Sequence, residues 1–325
     1  MNAAAADGFD VIGDIHGHHG ELVALLARLG YTDDAGHWSH PTRRAIFVGD
    51  LIDRGTDQID VLQTVRAMVD SGAALAIAGN HEFNAVAFHT PRPGGGFCRP
   101  HIKKNRDQHE AFLAAVGLSS AEHDEWIGWF QTLPLWLELD GLRVVHAAWD
   151  QHAIDVLRDS ATLGAGNTLT PELVVKATEG RADDGSRTPE WRAIEHLLKG
   201  PEVPIDPAYE DKGGKERKRA RFQWWRPDAD TLRRGALIPS GTKTVDGGDY
   251  PPLPDDPIDP PMRPYTDAVP VIYGHYWETG VPELTSPKTA CVDYSAGNGE
   301  ALVAYRWSGE THLDSDNFES SRSPI

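Results

Sequence analysis

Cysteine is nearly missing from this chain: Cys98 and Cys291 are the only two among 325 residues. Two such thiols imply no disulfide pairing and fit a reducing cytosol. Long apolar runs are missing too. No stretch approaches the ~18 apolar residues of a membrane span. The opening residues, Met1 to Asp10, carry neither the basic nor the apolar segment of a secretory leader. The expected location is therefore cytoplasmic, with no membrane partner. Positive charge is scarce as well: 31 Lys and Arg face 49 Asp and Glu, for a net charge of −18. That balance argues against a basic nucleic-acid-binding face, and no stable nucleic-acid partner is expected. It leaves room for an anionic substrate, because bound cations invert the charge of a site locally.

What the chain does have is the composition of a globular α/β protein, with 40% hydrophobic and 25% charged residues. Phe9–Gly13, Arg44–Gly49 and Ala73–Gly79 read as strands. A helix over Gly20–Leu29 places Leu22, Leu25, Leu26 and Leu29 on one face and stops at Gly30. A second helix, capped by Thr56, is expected to bury Ile59, Leu62, Val65 and Val69. Two successive βαβ units imply a parallel sheet. Leu135–Leu139 and Leu142–His146 read as two strands around the turn Asp140-Gly141. Three late strands are expected at Val269–Tyr273, Thr289–Tyr294 and Ala301–Trp307. The proline-rich stretch at about 199–264, with a basic run from Lys212 to Arg221, reads as an insertion or lid on a single domain. The tail after about His312 is expected to fray.

Each of the first three strands runs into a polar cluster: Gly13-Asp14-Ile15-His16-Gly17, then Gly49-Asp50-Leu51-Ile52-Asp53-Arg54-Gly55, then Gly79-Asn80-His81-Glu82. The carboxyl ends of parallel strands share one edge, where ligands bind, so the three clusters are expected to converge. Their carboxylates, amide and imidazoles suit hard or borderline divalent cations rather than a thiolate site. Asp14 and His16, two apart, reach one cation while Ile15 points inward. Asp50 is the natural bridge between two cations, and Asn80 supplies a neutral oxygen to the second. His146 and His275, each at the end of an expected strand, can complete that shell; His152 is the rival of His146. A paired centre acidifies a shared water and clamps phosphate oxygens. His81 is placed to protonate a leaving group as general acid, with Asp53 or Glu82 holding its tautomer. Arg54 offers a planar fork to phosphate.

In this order and spacing, the three motifs resemble the calcineurin-like metallophosphoesterase superfamily, and the DRG and GNHE elements resemble its phosphoprotein phosphatase branch. The resemblance implies a four-layer α/β/β/α sandwich with mixed sheets. It implies two divalent ions, manganese by default with iron or zinc as alternatives. Asp14, His16 and Asp50 would hold the first ion, and Asp50, Asn80, His146 and His275 the second. Arg54 and His81, with Asn80, would meet the phosphate. A second arginine from a later loop is expected, with Arg226 ahead of Arg221. The chain differs from eukaryotic Ser/Thr phosphatases at Ala147-Ala148, at Ala78, and at Asp293-Tyr294-Ser295-Ala296-Gly297.

The leading expectation is hydrolysis of phosphomonoesters, on a phosphoprotein or a small ester, by a hydroxide bridging the metals. The alternative is a hydrolase of nucleotide anhydrides such as dinucleoside polyphosphates, with Trp224 and Trp225 stacking on a base. The bland reading makes those two tryptophans core residues and the basic run a solvated loop. From another class comes a metal-stabilised binding protein without turnover; the presence of every ligand and of His81 weighs against it.

Overall fold

Gly8–Ile12, Arg43–Phe47 and Ala74–Ala76 lie side by side and parallel. Their apolar runs are buried, as suits strands covered on both faces. The computed structural model describes residues 7–34, 36–179, 187–210, 216–239, 241–259 and 262–322. On the far side of Gly8–Ile12 the strand Val303–Trp307 runs antiparallel, and Phe318–Ser320 pairs antiparallel with it, which makes this five-stranded sheet mixed.

Among the described residues, the tail is thus ordered through Arg322 rather than frayed. Its last strand pairs with the sheet, and Arg322 Nη2 lies 2.6 Å from Glu21 Oε1. A strand of three residues carries no period of its own; its order comes from the edge it joins and from Phe318, which packs against Tyr294 and Tyr305.

Helix His19–Leu29 buries Leu22, Leu25, Leu26 and Leu29, as its spacing predicts. Gly30 ends it in the left-handed conformation at φ 91°, with its N–H donating to the Ala27 carbonyl. Helix Gln58–Asp70 starts later than expected. Asp57 occupies its cap position, and the Thr56 hydroxyl donates to Asp57 instead of capping. The buried stripe is therefore Val61, Leu62, Val65 and Met68, while Ile59 and Val69 are only half-buried.

A second mixed sheet has the order Thr289–Cys291, Val271–Tyr273, Leu142–Val145, Trp136–Leu139. Its first three strands are parallel, and the last two form the expected hairpin. Val11, Ile46, Val48 and Ile77 meet Leu142, Val144, Ile272, Ala290 and Val292 in one buried cluster, so the two sheets pack face to face. The other face of the parallel strands is therefore met by a second sheet, where the βαβ units alone predict helices. Helices His19–Leu29 and Gln58–Asp70 pack beside the first sheet. Gln151–Asp159 and Pro189–Lys199 pack on each other beside the second; Arg158 of the former stands 5.6 Å over Trp136, and Ala147 N–H donates to the Leu197 carbonyl of the latter.

Residues Gly200–Ala268 form a separate compact unit. Its antiparallel sheet pairs Ala236–Leu237, Glu216–Phe222, Glu202–Glu210 and Lys243–Thr244 in that order. A register shift between Pro204 and Tyr209 lets the proline-bearing strand pair. Trp224 and Trp225 are buried here, edge to face at 5.9 Å, with Tyr265 beside them. They are core residues, not an open stacking platform. Of the basic run, 212–215 lie outside the described residues; Arg217, Lys218 and Arg219 are exposed on a strand. Among the described residues no helix is long and apolar enough to cross a membrane.

Candidate metal centre and active site

The loops that follow four strands turn in strained backbone. His16, Asp50, Asp53, Arg54, His275, Trp277 and Ser295 take positive φ between 49° and 74°. Only two other non-glycine residues among those described do so. Left-handed backbone costs such residues about 1–3 kcal/mol each and persists where the surroundings over-determine it. Two glycines set the closeness of these loops. A Cβ on Gly274 would stand 2.1 Å from Asp14 Oδ1, and one on Gly79 would stand 2.3 Å from Asp50 Oδ1.

Around Asp50 the expected ligands gather. His16 Nε2 lies 3.6 Å from Asp50 Oδ2, and His146 Nε2 lies 3.4 Å from Asp50 Oδ1 and 3.1 Å from Asn80 Oδ1. Two groups of potential ligand atoms, each within 4.8 Å of one another, share the Asp50 carboxylate: His16, Asp50 and His81, then Asp50, His146 and His275. Asp14 joins from the first strand, where its carboxylate accepts the His275 backbone N–H at 3.2 Å. Two of the expected ligand imidazoles are oriented from behind: His16 Nδ1 lies 2.9 Å from the Ile52 carbonyl and His146 Nδ1 2.8 Å from the Val48 carbonyl. Those bonds leave each Nε2 turned to the centre. His152, by contrast, is exposed on helix Gln151–Asp159.

His81 stands beside this group, its Nε2 3.9 Å from Asp50 Oδ2 and its Nδ1 2.6 Å from Asp53 Oδ2. Asp53 Oδ1 is held in turn by His109 Nδ1 at 2.9 Å. His109 was not legible as a site residue; it lies in a stretch without a motif. Glu82 does not contact His81's ring nitrogens. Its buried carboxylate accepts the backbone N–H groups of Asp50, Leu51 and Gly79 at 2.8–2.9 Å, fastening two loops together. Arg54 extends over the Trp277 ring at 3.9 Å. A Cβ on Gly297 would touch His16 and Arg54, so the segment after Asp293 also borders the site. Arg226 belongs to the separate unit 200–268, where Asp228 grips its guanidinium.

The charges fit a divalent cation. Burial, followed by the Asp293 and Asp50 charges, pushes the Asp14 carboxyl well above its usual range. Burial and the Asp50 charge push Glu82 up to about 7. Burial and His81 push His16 down to about 3, which keeps its ring neutral, the form that ligates metals. His16 Nε2 is buried with no hydrogen-bond partner among the described residues. A crowd of buried carboxylates and an orphaned imidazole nitrogen is relieved by a cation at their shared centre. The donor set, all oxygen and imidazole, suits manganese, iron or zinc equally.

Similarity to known proteins agrees with this geometry. An asymmetrical bis(5'-nucleosyl)-tetraphosphatase (PrpE) of Halalkalibacterium halodurans is 45% identical over 74 residues, 22% of this chain. That match spans only 30% of the relative's length. A symmetrical bis(5'-nucleosyl)-tetraphosphatase of a Shewanella species is 26% identical over 94% of both chains. A serine/threonine protein phosphatase structure from Saccharomyces cerevisiae shares the fold at a TM-score of 0.51 and 14% identity, covering 100% of this chain and 82% of that one. The calcineurin-like phosphoesterase family model matches residues 9–176, more than half of the chain and the whole stretch from the first strand through His146. The protein belongs to that family.

Proposed function

We propose that the substrate is a nucleotide anhydride of the dinucleoside polyphosphate class, in preference to the phosphomonoester that leads the sequence reading. The observation that carries this choice is the Shewanella relative, named for a dinucleoside tetraphosphate and aligned over 94% of both chains. Asp14, His16 and Asp50 would hold one divalent ion, and Asp50, Asn80, His146 and His275 a second. When bound, such ions acidify a water and neutralise phosphate charge.

The chain's own residues do the rest. Water gives up one proton to solvent as it attacks phosphorus, the bridging P–O bond of the anhydride breaks, and the departing phosphate oxygen takes a proton from His81 Nε2, which is restored from solvent. Asp53 accepts the His81 Nδ1–H, which aims Nε2 at that oxygen. Arg54 binds the phosphate flanking the bond, its plane fixed by the Trp277 ring.

Chromatography of a diadenosine tetraphosphate digest tests the reading. Release of two nucleoside diphosphates, at a kcat/KM at least tenfold above that for aryl phosphates and phosphopeptides, is expected. Faster turnover of the monoesters would overturn the substrate assignment while leaving the metal centre untouched.

A further inference from the structure

Away from the Asp50 centre, His89, His123 and Asp124 form another group whose potential ligand atoms lie within 4.8 Å of one another. Both imidazoles turn Nδ1 to the same carboxylate oxygen, Asp124 Oδ1: His89 from 3.7 Å and His123 from 3.6 Å. These separations exceed hydrogen-bond lengths. They approach the ~3.3 Å between donor atoms around a tetrahedral cation with bonds of about 2.0–2.1 Å.

His123 supplies the independent observation. Its side chain is fully buried, and neither ring nitrogen has a hydrogen-bond partner among the described residues. A buried imidazole without partners is disfavoured unless something satisfies its lone pair. His89 is the last residue of helix Asn80–His89, where the negative end of the helix dipole favours a cation. The side chains of His89 and Asp124 are 38% and 58% exposed, so an ion has a route in from solvent.

We propose that His89, His123 and Asp124 bind a late first-row divalent cation of the zinc type, with water completing the shell. The ion ties the end of helix Asn80–His89 to helix Ala121–Phe130, which packs against it. That first helix begins with Asn80 and His81, so the ion anchors the far end of the element that carries them. The competing description is a histidine merely packed among rings, 6.0 Å from Phe112.

Elemental analysis decides between them. Wild type and a His89→Gln/Asp124→Asn double variant are saturated with zinc chloride, desalted and analysed for zinc per chain. One ion fewer in the double variant is expected, together with loss of part of the zinc-induced rise in Tm. Equal zinc content in the two proteins would overturn the proposal. The comparison is a difference, so it holds whatever number of ions the Asp50 centre takes. Circular dichroism in EDTA verifies that the double variant folds; should it fail, Asp124→Asn alone is compared in the same way with the same two outcomes.

Discussion

His109 Nδ1 lies 2.9 Å from Asp53 Oδ1, while the other oxygen of the same carboxylate sits 2.6 Å from His81 Nδ1. Asp53 is buried, and burial alone would raise its pKa; the bonds from His109 and His81 outweigh that and hold it well below the usual carboxylate range. On the proposed mechanism His109 is a positioning residue, acting on His81 through Asp53. Replacing His109 with Phe should lower kcat by about 10-fold or more, the usual scale for a group that orients a working side chain. KM and bound metal should stay near wild type, whereas a purely structural defect would lower metal content and Tm together.

Substituting His81 by Ala removes the proposed proton donor without removing a carboxylate. Turnover should fall by roughly 10²–10⁴-fold. The loss should be largest for leaving groups of high pKa, read from a series of aryl phosphates, with ion content unchanged. Full activity on a poor leaving group would exclude the general-acid role.

Asp50→Asn strikes both ligand groups at once, because His16 and His146 face opposite oxygens of that carboxylate. The variant should lose nearly all hydrolysis and at least one ion per chain by elemental analysis. An equivalent change at exposed His152 should alter neither.

Acid stability should depend on Asp150. It caps helix Gln151–Asp159 through the Ala153 N–H at 3.1 Å and pairs with His196 Nδ1 at 2.7 Å. Burial raises its pKa, but the bond and charge of His196, together with the backbone N–H groups of Ala153 and His152, outweigh burial and hold it below its ordinary 3.8. A depressed carboxyl stabilises the fold above pH 3.8, and that contribution is lost as pH falls through the lower folded-state value. Asp150→Asn keeps a good cap residue yet removes the charge. Its Tm should therefore sit below wild type at pH 6, by about 1 kcal/mol of stability or less for a part-exposed pair, and the gap should narrow as pH falls below 3.8. A gap that stays constant from pH 6 to pH 3 would rule out the ionic contribution.

The centre was legible because its chemistry is local. Asp14, His16, Asp50, Asn80 and His81 lie in short glycine-flanked segments at strand ends, where spacing dictates convergence. His146 and His275 could be placed because each ends an apolar strand. His109 could not: its role arises from a contact 56 residues away in sequence. Trp277 was missed likewise, since its position over Arg54 depends on a loop turned by its own positive φ. In the fold, the buried stripe of helix Gln58–Asp70 was misphased because Gln58, a polar residue, is buried to bond the Gly55 carbonyl at 2.7 Å. The sheet in 200–268 was hidden by prolines that a register shift accommodates. The strand Phe318–Ser320 was hidden by its brevity.

Anomalous diffraction from crystals soaked in manganese chloride tests the central claim most directly. Two manganese peaks are expected, both bonded to Asp50, one also reached by Asp14 and His16 and the other by Asn80, His146 and His275. A single peak, or two peaks of which neither touches Asp50, would contradict the account.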